Sequence, residues 1–285
     1  DLDFYLVRNT GSDWVTRELG FRQQGKNPEI WDAATGEVIA VPVYSQDGRH
    51  VRIPITLAPY GSALVVFRAG PETANFTSVS SRNQRPPLMA YTGKGIFFLE
   101  EGTFQLKGSA GSETLENKIP VQTIAGAWDV TFPEGWGAPP SEKFPALISW
   151  TQSQDPGIRY FSGTATYRKT FALEGPAPSS GKRLYLNLGD LQKVGDVWLN
   201  GKHLGIAWAK PYEFDITDVV NAGQNDLKVE ISNTWSNRLT GDAITGEKLT
   251  KTNITRQETL RWSEVPLLES GLLGPVTLQT RTPVK

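Results

Sequence analysis

Residues 183–237 read RLYLNLGDLQKVGDVWLNGKHLGIAWAKPYEFDITDVVNAGQNDLKVEISNTWSN, and this stretch decides the fold. Large apolar and polar residues alternate in three of its segments, 184–190, 197–205 and 224–233, which is the period of a strand that buries one face. Asn200-Gly201 lies within the second segment, where a two-residue turn needs a positive φ at both residues. The pattern therefore predicts half-buried β-strands and a hairpin.

Strand and turn patterns continue through the rest of the chain. Short alternating segments punctuated by Gly, Pro and Asp fill residues 4–69, and further strand patterns follow around residues 96–107 and in the second half. No ten-residue segment has helical periodicity, and only residues 216–221 look like a single turn. Gly, Ser and charged residues without apolar periodicity fill residues 108–117. We therefore expect an all-β protein with two β-sandwich domains in tandem, residues 1–117 and 118–285.

Composition excludes several classes of function. The 285 residues include 29 basic and 30 acidic side chains, for a net charge of -1, and no Lys/Arg run marks a nucleic-acid-binding face. The chain has no cysteine, so disulfides and thiolate chemistry are absent. No apolar run approaches the roughly 20 residues that span a bilayer, so no membrane association is expected. Because the chain lacks an initiating Met, we expect a mature product or an excised fragment, with the first domain truncated at its N-terminus.

Several motifs carry a resemblance to known glycoside hydrolases. Four motifs follow one another in this stretch: a strand ending in Leu-Gly-Asp, a Val-Trp-Leu-Asn-Gly hairpin, Phe-Asp-Ile-Thr and Gln-Asn-Asp-Leu-Lys-Val. Their order resembles the sugar-binding jelly-roll of family 2 glycoside hydrolases. Four further segments look like the C-terminal β-sandwich region of family 106 glycoside hydrolases, namely residues 28–36, 159–167, 237–242 and 270–276. The second domain should then be a galactose-binding-like jelly-roll.

Members of family 106 are α-L-rhamnosidases, in which a catalytic barrel precedes these β-domains. The resemblance thus implies an upstream barrel as partner, a bacterial polysaccharide-degrading parent enzyme, and a periplasmic or extracellular location. A (β/α)8 barrel needs about 250 residues of alternating strand and helix, which this chain does not show. We expect no catalytic residue here, although the loop carboxylates that a glycosidase would need are present as Asp190, Asp196, Asp242, Glu247 and Glu264.

Aromatic residues near the presumed loops are the candidates for sugar binding. Pyranose rings stack on aromatic faces, and nearby amides, carboxylates and guanidinium groups pair with hydroxyls. The candidate ligand-binding residues are Trp208, Tyr212, Trp235, Asn237, Arg238, Asp242 and Trp262, with Trp136 as a further loop aromatic. Each Trp could instead pack under its own loop. Trp128 and Trp198 lie within strand patterns, and we expect both in the core.

A structural calcium ion is a further expectation, because jelly-rolls similar to this one often hold one. Hard cations bind clustered carboxylate, amide and carbonyl oxygens. The candidate ligands are Asp129, Asn187, Asp190 and Asp226, although no Asp-x-Asp-x-Asp-Gly loop is present. The two histidines, His50 and His203, are too few and too dispersed for a triad or a three-His metal site.

Three hypotheses follow for function. The leading one is a noncatalytic carbohydrate-binding or accessory module of a rhamnosidase-like enzyme, which binds a plant or algal polysaccharide or oligosaccharide. The second is a part of a working α-L-rhamnosidase whose active site uses loop residues from this chain. The third is a structural spacer that packs on the barrel, for which an exposed apolar patch would be the sign.

Overall fold

The chain folds into two compact units in the computed structural model, which describes residues 2–33, 35–71, 75–108, 111–178, 181–250, 254 and 261–284. The first unit comprises Asp1–Pro120, Ser180–Arg183 and Thr280–Lys285, and the second comprises Val121–Ser179 and Leu184–Gln279. Strands dominate both units, which confirms the predicted all-β class. The two short segments that join the first unit from far along the chain were not predicted from sequence.

The first unit is built from short antiparallel strands. Within the described residues its sheets have the orders β1-β7-β3-β4, β2-β6-β5, β10-β9 and β12-β11-β8. The strands are β1 (Leu2–Arg8), β2 (Val15–Phe21), β3 (Lys26–Trp31), β4 (Val38–Ala40), β5 (Ser45–Asp47), β6 (His50–Leu57), β7 (Ser62–Ala69), β8 (Phe76–Ser81), β9 (Met89–Thr92), β10 (Gly95–Phe98), β11 (Gly102–Gly108) and β12 (Gly111–Asn117).

Two apolar clusters form the core of the first unit. The larger lies between the β1-β7-β3-β4 and β2-β6-β5 sheets and includes the fully buried Val51, Ile53, Val65 and Phe67. The smaller contains Phe98 and Phe104, whose rings stack with centroids 4.1 Å apart, and it belongs to the β8–β12 region. Alternation along each strand therefore directs one row of side chains inward, as the sequence predicted.

The second unit is a sandwich of a six-stranded and a four-stranded sheet. Their orders are β15-β14-β16-β22-β19-β20 and β13-β24-β17-β21, and β18 pairs with β23. The strands are β13 (Val121–Thr123), β14 (Trp128–Thr131), β15 (Ser141–Phe144), β16 (Thr164–Ala172), β17 (Arg183–Asn187), β18 (Asp190–Gln192), β19 (Val194–Leu199), β20 (Lys202–Ala207), β21 (Glu213–Asp215), β22 (Gln224–Ser232), β23 (Gly271–Gly274) and β24 (Thr277–Arg281). The helices of the described ranges are α1 (Pro156–Arg159), α2 (Ser236–Thr245) and two 3-10 turns, Trp150–Gln152 and Trp262–Glu264.

Aromatic residues fill one part of the core of this sandwich. Trp128 and Trp150 are almost completely buried, which confirms the expectation for Trp128. The indole N–H of Trp150 donates to the phenol oxygen of Tyr167 across 2.5 Å, and the backbone N–H of Leu272 donates to the same oxygen across 3.2 Å. A buried phenol thus supplies both groups with a partner.

Trp198 lies outside the core, so the expectation for it was wrong. Val197 and Leu199 are fully buried, and the alternation of a strand directs the residue between them to the opposite face. There Trp198 faces Lys228 on the neighbouring strand, whose Nζ lies 3.4 Å from the ring centroid. The period of the strand, and not the size of the side chain, decides which residue is buried.

The predicted turns agree with the structure. Asn200 and Gly201 have φ values of 53° and 79°, as a two-residue hairpin between β19 and β20 requires. The backbone N–H groups of Val219 and Val220 both donate to the carbonyl of Ile216, which forms the single turn expected at residues 216–221. The sequence could predict these two turns because each depends on only a few adjacent residues.

Helix α2 was not predicted, and its composition explains why. It reads SNRLTGDAIT, and its buried residues are Asn237, Arg238, Leu239, Thr240 and Gly241, so most of its inward face is polar or small. Hydrophobic periodicity cannot reveal such a helix. Its end does follow the usual rule, since Gly246 adopts a φ of 80° and its N–H donates to the carbonyl of Asp242.

Candidate functional site

One end of the six-stranded sheet gathers exposed apolar side chains. Gly195 pairs with Ala207 on β20 and with Ile231 on β22, so the next residues, Trp208 and Val194, lie at the same end of the sheet. Trp208 is 62% exposed and Val194 is 38% exposed. This end, where β20 and β22 finish and β19 begins, is called the aromatic edge below.

Trp235 belongs to the same edge. Strand β22 ends at Ser232, which pairs with Val194, and Trp235 follows three residues later as the residue before α2. Its side chain is 46% exposed. Strands β20 and β22 flank β19, so they lie two strand spacings apart, about 9.6 Å. The structure therefore places Trp208 and Trp235 at one edge with both rings open to solvent.

Polar groups lie at the same end of the sheet as the two aromatic residues. The hydroxyls of Thr164 and Ser232 are hydrogen-bonded to each other at 2.7 Å on neighbouring strands. The backbone N–H of Lys193 donates to the carbonyl of Ser232, and its exposed ammonium donates to Oε1 of Gln192 across 3.1 Å. Hydroxyl and ammonium groups of this kind can pair with sugar hydroxyls. Lys193, Thr164 and Ser232 were missed from sequence because only the strand register brings them to the same end of the sheet as Trp208.

Tyr212 contributes mainly to the structure of the loop after Trp208. Its ring packs against the core of the sandwich, and its carbonyl accepts from the N–H of Leu188 across 2.9 Å. Burial raises the pKa of the Tyr212 phenol, and the carboxylate of Asp190 raises it further. Asp190 in turn lies 3.5 Å from the ammonium of Lys210. The loop is therefore fixed by packing and by an ion pair.

Asn237 is buried and fixes a neighbouring loop. Its Nδ2 donates to the carbonyl of Leu268 across 2.7 Å and to Oγ of Ser270 across 3.0 Å, while its Oδ1 accepts from the N–H of Leu268. Asn233 donates to the same Ser270 hydroxyl. Asn237, predicted as a sugar contact, is only 1% exposed. It follows Trp235 by two residues in the sequence, and its hydrogen bonds position the loop at Leu268.

Arg238 and Asp242 are also internal. The Arg238 side chain is 1% exposed, its Nε donates to Oδ1 of Asp242 across 2.8 Å, and Asp242 Oδ2 accepts from both the N–H and the hydroxyl of Thr250. Among the described residues, Nη2 of Arg238 has no hydrogen-bond partner, and Oε2 of Glu247 lies 3.8 Å from it. The pair holds the end of α2 rather than presenting a charge to solvent.

Gly241 allows the close packing around this ion pair. A Cβ at this position would lie 2.5 Å from Cβ of Tyr160 and 2.7 Å from Nη2 of Arg238. Tyr160 also contacts the guanidinium, whose carbon lies 5.7 Å from the ring centroid. The predicted polar set of Asn237, Arg238 and Asp242 is thus a buried support of the edge.

The remaining loop tryptophans are less exposed than Trp208 and Trp235. Trp262 is half-buried in a 3-10 turn that contacts α2, and its indole N–H donates to the carbonyl of Ile254 across 3.3 Å. Trp136 packs partly against the core. Their positions favour the alternative that each packs under its own loop.

The four predicted calcium ligands lie on different elements. Asp129 is on β14 and Asp226 on β22 of the six-stranded sheet, whereas Asn187 ends β17 and Asp190 begins β18. Asp129 lies 3.7 Å from Lys143, and Asn187 Oδ1 accepts from the N–H of Gly189. No cluster of three His, Cys, Asp or Glu residues suited to a metal occurs in the described ranges. Calcium binding stays a prediction.

The loop carboxylates have internal partners where the structure describes them. Asp196 binds His203 on β20, Asp190 pairs with Lys210, and Asp242 pairs with Arg238. Oε2 of Glu264 accepts from the N–H of Arg261.

None of the helices in the described part of the chain has the length and hydrophobicity that a membrane-spanning helix requires.

Residues 150–263 match the family model described as "Glycosyl hydrolase 2 galactose-binding domain-like". The second unit contains a glycosyl hydrolase 2-like sandwich domain. Both sheets of the sandwich and the aromatic edge include residues from the matched range, so the galactose-binding-like domain carries the candidate site. This finding confirms the predicted resemblance to the family 2 jelly-roll, whereas membership of family 106 stays a prediction.

Similar proteins are glycoside hydrolases. A protein of Formosa agariphila named "Putative beta-glucuronidase" is 31% identical over 279 residues, which covers 87% of this chain and 24% of that protein. A second beta-glucuronidase of the same organism is 34% identical over 74 residues, covering 25% of this chain and 7% of its own length. The chain therefore spans at most about a quarter of these curated relatives.

A solved structure is similar over almost the whole chain. The rhamnosidase from Novosphingobium sp. PP1Y superposes with a TM-score of 0.72 and 32% identity, over 97% of this chain and 22% of that protein. The similarity includes both β-rich units, since it extends far beyond the galactose-binding-like domain. In that rhamnosidase, as in the F. agariphila relative, the matched region is a minor part of a longer polypeptide.

Proposed function

We propose that this chain is a noncatalytic accessory module of a bacterial, polysaccharide-degrading glycoside hydrolase of the rhamnosidase type. In this proposal the galactose-binding-like domain binds a plant or algal glycan at the aromatic edge. The parent enzyme supplies a catalytic barrel and works in the periplasm or outside the cell. The observation that supports sugar binding is the exposure of Trp208 and Trp235, by 62% and 46%, at the same end of one sheet.

The chemistry of the aromatic edge suits a saccharide. A pyranose has an apolar CH face that packs on an aromatic ring and hydroxyls that need hydrogen-bond partners. The same end of the sheet offers two exposed rings, the hydroxyls of Thr164 and Ser232 and the ammonium of Lys193. In the proposal Trp208, which follows β20, and Trp235, which follows β22, stack on two sugar residues of one glycan chain.

The buried polar residues have a supporting role in this proposal. Asn237 and the Arg238–Asp242 pair fix α2 directly after Trp235, so they set the position of that ring without touching the ligand. Tyr212 and the Lys210–Asp190 pair fix the loop after Trp208 in the same way. Binding sites depend on such rigid support for their side chains.

Affinity electrophoresis tests the proposal. The chain is run through gels that contain rhamnose-rich pectin, other plant and algal polysaccharides, or no glycan, beside Trp208→Ala and Trp235→Ala. The matched control is Trp14→Ala, which removes a 38% exposed tryptophan from the first unit. We expect at least one glycan to retard the chain and the control but not the two site variants. Migration of the chain that no glycan changes would contradict glycan binding, and equal retardation of all four proteins would contradict binding at the aromatic edge.

A further inference from the structure

The outer face of the β1-β7-β3-β4 sheet is unusually apolar. Opposite residues in an antiparallel sheet share a face, and one row across all four strands consists of Leu6, Leu64, Trp31 and Val38. The adjacent row contains Phe4, Val66 and Ala40 beside a single charged residue, Glu29. This surface, defined by the two rows, is called the outer apolar face. It lies opposite the face that forms the core of the first unit.

Both sides of the outer apolar face are open to solvent in this chain, whereas Leu64 and Trp31 at its middle are half-buried and Val66 is buried beneath its neighbours. Leu6 is 74% exposed, Val38 is 55% exposed and Phe4 is 53% exposed, and Phe4 contacts the ring of Trp31 edge-to-face with centroids 5.7 Å apart. Four strands separated by about 4.8 Å give the row a width of about 14 Å. Single exposed apolar residues are common, but a continuous apolar row of this width is typical of an interaction surface.

The chemistry of this face favours a protein surface over a sugar or solvent. Its one charged residue is already paired, since the Glu29 carboxylate accepts from Nε of Arg68 and from the indole N–H of Trp31, each across 2.8 Å. Apart from this Trp31 indole, which Glu29 already engages, the other side chains of the two rows are aliphatic or phenyl groups without a hydrogen-bonding atom for sugar hydroxyls. An interface of mainly aliphatic and aromatic groups resembles a domain core divided in two, as permanent interfaces do.

We propose that the outer apolar face is the docking surface for another domain of the same polypeptide. The length of the relatives supports this occupant, because 97% and 87% of the chain match regions that are only 22% of the rhamnosidase and 24% of the F. agariphila protein. A covalently linked domain can cover a permanently apolar face as the protein folds, so the face need not be exposed in the complete protein. The proposal shares with the proposed function the premise of a longer glycoside hydrolase, but the aromatic edge plays no part in it.

The absence of cysteine makes a direct test available. A single thiol is introduced on the face as Leu6→Cys or, in a second variant, as Val38→Cys, and at the control position as Tyr60→Cys. Tyr60 is 66% exposed in the same unit but lies outside the two rows. The rate of thiol modification is measured in this chain alone and in the product of the complete open reading frame, with any other cysteines of that product replaced by serine.

We expect both face variants to react at least about tenfold more slowly in the complete product than in the isolated chain, since a covered thiol reacts only when the interface opens. The Tyr60→Cys thiol should react at the same rate in both. Equal rates for the face variants, or an open reading frame without a further domain, would overturn the proposal. The isolated chain could instead show slow modification that becomes slower at higher protein concentration, together with a dimer in sedimentation velocity. This result would overturn the proposal, because a second copy of the chain would then cover the face.

Failure of this inference can be distinguished from failure of the proposed function. The thiol variants lie in the first unit, and glycan retardation depends on tryptophans in the second. Covered thiols without glycan binding would identify the chain as a docked structural spacer. Glycan binding with exposed thiols would identify it as a sugar-binding module whose outer apolar face is not docked.

Discussion

Arg238 and Asp242 form an ion pair one turn apart on helix α2, with Nε of Arg238 donating to Oδ1 of Asp242 across 2.8 Å. Their side chains are only 1% and 10% exposed. A carboxylate beside a guanidinium looked like a ligand-binding set in the sequence, because both residue types occur at sugar sites. In the structure the pair stabilises the helix that follows Trp235.

Replacement of Asp242 should therefore destabilise the second unit. Asp242→Asn leaves the Arg238 charge buried without its partner, and breaking a buried pair in this way costs about 3–5 kcal/mol. The matched control is Lys143→Gln, which breaks a pair with Asp129 that is more than two-thirds exposed on both sides and should cost no more than about 1 kcal/mol. Urea unfolding followed by tryptophan fluorescence measures both. Equal destabilisation by the two variants would contradict a buried role for the pair.

The Trp150–Tyr167 contact provides a second prediction. Tyr167→Phe keeps the ring but removes the oxygen that accepts from the Trp150 indole and from the Leu272 amide. Two buried donors would be left without a partner, at a cost of about 1–3 kcal/mol each. Denaturant unfolding of the variant should show this loss, whereas Tyr60→Phe, at an exposed position, should not change stability. An unfolding midpoint of Tyr167→Phe equal to the wild type would show that the donors find other partners.

Glu29 gives the first unit a pH-dependent contribution to stability. The hydrogen bond from Arg68 holds the pKa of the Glu29 carboxyl below its usual range, against the opposing effect of burial, and the Trp31 indole lowers the pKa further. Because the folded-state pKa is the lower one, this stabilisation is complete above the usual carboxyl range and is lost as the pH falls through the folded-state pKa.

The variant Glu29→Gln removes this dependence. The wild type should be more stable than Glu29→Gln at about pH 7, and the difference should shrink as the pH falls through the lowered folded-state pKa of Glu29 and be absent below it. Thermal unfolding of the two proteins across this pH range measures it, with Glu116→Gln as a control at an exposed position of the same unit. A difference that grows as the pH falls would reverse the sign and contradict the ion pair.

The sequence predicted what depends on local pattern. Alternation along strands such as β22 and the positive φ of Asn200 and Gly201 are properties of a few adjacent residues, and the all-β class followed from them. Trp208 and Trp235 were selected as candidates because each follows a strand pattern. Their exposure agrees with that selection, although sugar binding by them stays a prediction.

The features that sequence did not predict depend on tertiary contacts. Helix α2 buries Asn237 and Arg238, and loops around Phe161 and Leu268 supply partners for them, such as the Ser162 hydroxyl, which accepts from the N–H of Arg238. No local pattern reveals those loops. The position of Lys193 beside Ser232 depends on strand pairing across long sequence separation. The outer apolar face was likewise visible only once the register of four strands was known.

The central claim is that the aromatic edge of the galactose-binding-like domain binds a glycan. Isothermal titration calorimetry tests this claim most directly. The glycan that retards the chain in gels is titrated into the wild type, Trp208→Ala, Trp235→Ala, the double variant and Trp14→Ala. Loss of a central aromatic contact typically costs about 2 kcal/mol or more, so each site variant should bind roughly 30-fold more weakly. A double variant whose loss differs from the sum would show that both rings contact one ligand. Wild-type affinity in both single site variants, with their fold intact, would contradict the account.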